Sequence, residues 1–135
     1  MNFEDFIKSG NVRKSSKDPA LIKSLKETAD LDIRFLRGLE INENSSRKIV
    51  SNYYDVLRSI LEAIALEEGY KVYSHEAFAC LLKEKGQNIF AVKFDRLRKI
   101  RNKINYYGKK VSVEEAKELV KEIEDLMNKL KILLK

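Results

Sequence analysis

Arg98, Arg101 and Asn105 fall three and four residues apart in the segment RKIRNKINYYG, residues 98–108. On a helix that spacing puts the three side chains on one side. Guanidinium forks match the oxygens of phosphate, and a neighbouring amide adds donors, so the chemistry this set suits is anion binding. Leu97, Ile100 and Ile104 define the inward direction of the same helix. At about 100° per residue Arg101 lies only about 40° from Leu97, inside the apolar stripe. A guanidinium buried without partners is costly, so a carboxylate, a helix C-terminus or an anionic ligand is expected beside it. Asn102 follows Arg101 directly, and Tyr106 and Tyr107 close the segment. A phenol can donate a proton or hydrogen bond, but with a pKa near about 10 it is a poor general base at neutral pH. A plainer reading stands beside this one: basic residues near a helix C-terminus are favoured by the macrodipole, and a charge run is commonly a solvated face.

The elements that must position these residues are legible as helices. Asn2 to Ser9 is a short amphipathic turn closed by Gly10, followed by a basic connector. Asp18 then Pro19 is an N-cap with a proline in the first turn, where its missing N–H costs nothing; that helix reads to about Leu39. Ile49, Tyr53, Val56/Leu57, Ile60 and Ile64 repeat at three and four residues and predict a long helix ending at Gly69. Ser74 reads as the cap of a shorter helix, Ala77 to Lys85, that stops at Gly86. The basic helix runs from about Asn88 to Gly108, with Phe90, Phe94, Leu97, Ile100 and Ile104 inward. Ser112-Val-Glu-Glu reads as a reciprocal capping box opening a last helix with near-heptad Ala116, Val120, Ile123, Met127, Leu130 and Leu134. With no strand alternation of any length, the expectation is an all-α, up-and-down bundle of four to five main helices plus a short N-terminal helix, one domain over residues 1–135.

Composition narrows the function classes. The charge is +6, and residues 88–110 hold eight basic residues against Asp95 alone, more than the whole chain's excess. A polyanionic partner is favoured. The single cysteine, Cys80, excludes an internal disulfide, and no Cys or His neighbour stands at metal-ligand spacing, so neither a metal nor a cofactor is expected. No P-loop, glycine-rich dinucleotide motif or nucleophile beside a base is present. Apolar runs are too short to cross a bilayer and the N-terminus is acidic where a signal peptide would be basic, so the expected place is the cytoplasm. His75, the only histidine, sits at a helix start, where the dipole disfavours its protonated form, and reads as structural. The pair Tyr53-Tyr54, with Tyr53 on the apolar stripe, reads as core packing, while Glu67-Glu68 and the Glu122, Glu124, Asp125 cluster read as solvated faces.

Arg101-Asn102-Lys103-Ile104-Asn105-Tyr106, in the penultimate helix of a small all-helical chain, resembles the motif of the HEPN superfamily: an Arg, commonly a polar residue, a few positions, then a His. The stretch Gly69 to Ala77 is similar to that of archaeal members. The resemblance implies a bundle that dimerises so that two motif helices meet in a basic cleft. It also implies a metal-independent ribonuclease in active members, with His handling the proton and Arg stabilising the phosphorane, and pairing with a minimal nucleotidyltransferase in toxin–antitoxin systems. In this chain Tyr106 stands where the His is usual, and Gly108 where toxin members carry the tyrosine their partner modifies. Three functions follow as expectations. One is a homodimeric module binding RNA or a nucleotide phosphate through Arg98, Arg101, Asn102 and Asn105. Another is a ribonuclease using Arg101 and Tyr106. The third is a protein-interaction bundle whose basic helix meets an acidic partner.

Overall fold

The computed structural model describes residues 1–134, and its axis is the helix with the widest apolar surface. Helix α3 (Ser46–Glu67) buries fourteen of its 22 residues, because two stripes run along it. One holds Ile49, Tyr53, Val56, Ile60 and Ile64; the other holds Val50, Tyr54, Leu57 and Leu61. A helix apolar on two sides must be covered on two sides. On one flank lie α2 (Pro19–Arg37) and α6 (Val113–Lys131); on the other, α4 (Glu76–Glu84) and α5 (Asn88–Tyr107), with the short α1 (Phe3–Lys8) against α4. The buried side chains form one cluster. The arrangement is the expected all-α bundle. Among the described residues no helix is long and apolar enough to cross a membrane.

Chain direction is fixed by pairings between helices. Asp30 meets Lys131 at 2.7 Å and Arg37 meets Glu124 at 3.1 Å, so α2 and α6 run antiparallel. Arg47 donates to the Ile104 carbonyl and Arg101 reaches Asp55, so α3 and α5 do too. Glu122, Glu124 and Asp125 thus do not form a plain solvated face: Glu122 pairs with Arg96 of α5, Glu124 with Arg37 of α2, and only Asp125 bonds within its own helix, to Lys129. Glu68 likewise pairs with Lys85.

Local signals placed most boundaries within two residues, with three corrections. Val12–Lys14 (β1) and Tyr70–Val72 (β2) form an antiparallel two-stranded sheet in the register Val12↔Val72, where helical periodicity suggested connectors only. Three-residue strands are too short for alternation to register, and their partner lies across α2 and α3. Gly69, at φ +85, turns the chain out of α3 into β2, and its carbonyl accepts from the Ser15 N–H at 2.8 Å. Ser74 does not cap α4 with its side chain; its carbonyl accepts from Ala77, and His75 occupies the N-cap position. At α6 the Ser112 hydroxyl accepts from the Glu115 N–H at 3.1 Å, but the Glu115 carboxylate meets that hydroxyl at 3.3 Å rather than the backbone N–H. The reciprocal box occurs at α1, between Asn2 and Asp5.

Candidate anion-binding site

The inward arginine of α5 lands where α3, α4 and α5 meet, on a bed of aromatic rings. Tyr54 of α3 is fully buried and stacks on Phe94 of α5 at 5.8 Å and 19°. Phe78 of α4 meets Phe94 edge-on at 6.1 Å. This packing fixes Tyr54, and two groups are built on it. The Arg101 guanidinium lies 5.3 Å over the Tyr54 ring, an attraction worth about 0.5–2 kcal/mol depending on desolvation. His75 lies against the other part of the ring, its Nδ1 3.1 Å from the Tyr54 hydroxyl.

The electrostatics follow from burial. The Tyr54 phenol is pushed well above its ordinary range, chiefly by burial and despite the charges of Arg101, Arg98 and Arg58. His75 is pulled down to about 4, first by burial and then by Arg58, Arg101 and Arg98. At neutral pH the phenol is protonated and the imidazole uncharged. We assign the Tyr54 hydroxyl as donor to Nδ1, since the hydroxyl has no other acceptor among the described residues; this leaves the imidazole hydrogen on Nε2.

Arg101 is incompletely satisfied. Its side chain is 16% exposed, and among the described residues its only ion pair is with Asp55 at a long 3.5 Å and its buried Nε has no hydrogen-bond partner. A buried donor left unpaired in this way costs about 1–3 kcal/mol, more when charged. Arg98 is better held: its Nε and Nη2 donate to Asp95 one turn back at 3.0 and 2.9 Å. Burial alone would raise Asp95, but hydrogen bonds from Arg98 and Lys99 outweigh it and keep the carboxyl below its usual range. From α3, Arg58 adds a third guanidinium, tied to Glu62 at 2.5 Å.

The residues singled out from the sequence therefore engage different neighbours. Arg98 and Arg101 act on the Tyr54–His75 pair. Asn105 accepts from the Ser51 hydroxyl at 3.0 Å and borders a depression of about 360 Å³ with Arg47 and Lys48. Tyr106 is 70% exposed and reaches back, its ring 6.0 Å from the Arg101 guanidinium, so it adjoins both regions. Asn102 is half-buried on the far side of Arg101. Asp55 and Arg58 were not singled out; Tyr54 was read with Tyr53 as core packing, and Asp95 only as the lone acid of the basic segment. The signal for Tyr54 was present in the second apolar stripe of α3, and the spacing of Asp95 to Arg98 and Lys99 marked that pairing locally; nothing local joined Asp55 to Arg101. Among the described residues no group of three or more His, Cys, Asp or Glu side chains is arranged to hold a metal ion. Comparison with family models, curated proteins and solved structures finds no match for the chain.

Proposed function

We propose that the chain is a HEPN-like helical module that binds RNA or a nucleotide phosphate at the Arg101 cluster without turning it over. The observation that carries this reading is the buried, unpartnered Nε of Arg101 beside a weak 3.5 Å contact to Asp55. That Nε is closed to solvent, so an anion would engage the guanidinium as it turns from its weak Asp55 contact, making charge-assisted bonds that the folded chain alone leaves long or unmade. Arg58 and Arg98 add positive field, felt at Tyr54 and His75.

The state of His75 favours binding over cleavage. Burial, and then Arg58, Arg101 and Arg98, make its imidazole a weak base, while Tyr106 has a phenol's weak basicity. The HEPN resemblance adds two further parts to the proposal, a homodimer meeting through α5 and a minimal nucleotidyltransferase as partner.

The test is titration of a labelled RNA oligomer at several salt concentrations. Affinity falling linearly in log–log form as salt rises, and lost in Arg101→Ala, is expected of a phosphate-led contact. Salt-insensitive binding, or none, removes the reading. Cleavage of the RNA in excess EDTA by the wild type but not by Arg101→Ala would replace it with the ribonuclease. A monomer at high concentration removes the shared-cleft part alone.

A second reading, a bundle that binds an acidic protein, draws on the outer flank of α5. Ile89 and Val92 are 71% and 65% exposed there, one and two turns from the basic side chains Arg96 and Lys99. Loss of partner capture in Ile89→Asp with RNA affinity retained would favour it.

A further inference from the structure

Beside the arginine cluster the seam between α2 and α3 opens into a depression of about 380 Å³. It is bordered by the aromatic ring of Phe35 and by Asp32, Asn52, Asp55 and Arg58. Phe35, in the last turn of α2, is 67% exposed, an uncommon state for a ring of this size. Two of the bordering residues also belong to the anion site. Asp55 contacts the Arg101 guanidinium, and the charge of Arg58 acts on Tyr54 and His75. The depression therefore adjoins the proposed phosphate position through Asp55, which borders the one and contacts the arginine of the other.

We infer that this depression is a nucleobase subsite that takes a base with an exocyclic amino group, stacked on Phe35 and hydrogen-bonded to the Asp55 or Asp32 carboxylate. The inference rests on the phosphate-binding reading and extends it to the ligand's base. An exposed phenyl face is a sequence-tolerant stacking platform. Carboxylates accept from an amino group and repel a carbonyl oxygen, so the acidic rim discriminates cytosine from uracil, two rings of nearly equal size. An apolar protein segment would match Phe35 and its neighbour Leu31 but would desolvate Asp32, Asp55 and Arg58 without pairing them.

The experiment compares three labelled RNA hexamers of equal charge, oligo(C), oligo(U) and an abasic ribose-phosphate, by fluorescence anisotropy at one low salt concentration. Proteins are the wild type, Phe35→Ala, Phe35→Trp and Arg101→Ala. Oligo(C) is expected to bind about tenfold tighter than the abasic hexamer, with oligo(U), which stacks but lacks the amino group, between the two. Phe35→Ala brings oligo(C) down to the abasic hexamer's affinity, Phe35→Trp keeps the preference, and Arg101→Ala weakens all three. Equal binding of all hexamers, still dependent on Arg101, overturns the base subsite and leaves the phosphate reading standing. No binding of any hexamer overturns both. Oligo(U) binding as tightly as oligo(C) overturns the carboxylate recognition. Loss of a dimer in Phe35→Ala, seen by sedimentation together with weakened abasic binding, assigns the ring to a protein contact and overturns the proposal.

Discussion

Tyr53 and Tyr54 are consecutive residues of α3, and each sits beside an arginine and a carboxylate from different helices, yet the two clusters are in opposite states. At Tyr53 the pairing is closed: Arg37 of α2 places Nε and Nη2 on the two oxygens of Glu124 of α6, both at 3.1 Å. Glu124 also acts on the Tyr53 phenol, which is pushed up to about 12, first by burial and then by that carboxylate. At Tyr54 the pairing is open: one 3.5 Å contact to Asp55, an Nε with nothing to donate to, and a histidine held uncharged. The first cluster has the geometry of a clamp, with Nε and Nη2 of Arg37 each on its own carboxylate oxygen. The second retains one unsatisfied donor in a buried place, a cost that a stability role does not explain and an anion would relieve.

Truncation of the two tyrosines is the strongest way to break this contrast. Tyr53→Ala and Tyr54→Ala each lose a buried ring and are expected to lower unfolding free energy by about 3–5 kcal/mol, read by urea denaturation. On the proposed reading the conservative Tyr54→Phe weakens RNA binding, because His75 loses the hydroxyl that fixes its tautomer, whereas Tyr53→Phe leaves binding as it was.

Acid should also separate them. His75 titrates near its ordinary 6.5 in the unfolded chain and at about 4 when folded, so the unfolded state takes up the proton first. The stabilisation is complete above about pH 6.5, falls as pH drops toward 4 and levels off below that, for a total on the order of 2 kcal/mol after allowing for the ring's partial exposure. Asp95, held below its ordinary value, adds its own loss at still lower pH. His75→Phe should flatten the pH 4–6.5 part of the stability curve; an unchanged slope would show that the imidazole is not held neutral.

Arginine substitutions give the sharpest and smallest effects. Arg101→Ala is expected to cost at least about tenfold in RNA affinity, about 1.4 kcal/mol, with stability changed by less, because the guanidinium gives up little that was satisfied. Arg37→Ala should do the reverse, lowering stability by about 0.5–1 kcal/mol, the upper range for a surface pair with two-point geometry, with RNA affinity unchanged. If both variants move both quantities equally, the distinction between clamp and site is lost.

How much of this was legible beforehand differed by element. The Asp18-Pro19 start of α2 was readable because the Asp18 carboxylate accepts from the N–H of Leu21, three residues on. Gly108, at φ +65, ends α5 by the same kind of local chemistry. The inward position of Arg101 followed from helical periodicity, and so did the need for a partner. Its actual surroundings did not follow: Asp55 and Tyr54 come from another helix, and the ring beneath the guanidinium belongs to the second stripe of α3. His75 looked like a helix-start residue because its hydrogen-bond partner lies a helix away on α3.

The amino-acid sequence by itself therefore determined the helices, their ends, the excess of positive charge on α5 and the inward turn of one arginine, all of which depend on residues within a few positions of each other. Only the tertiary structure decided that two short connectors pair as strands, that Arg37 finds a full carboxylate fork while Arg101 does not, and that His75 meets Tyr54 between three guanidinium groups. Periodicity tells a side chain which way to face, but what it meets there is set by the packing of helices whose sequences carry no local record of one another.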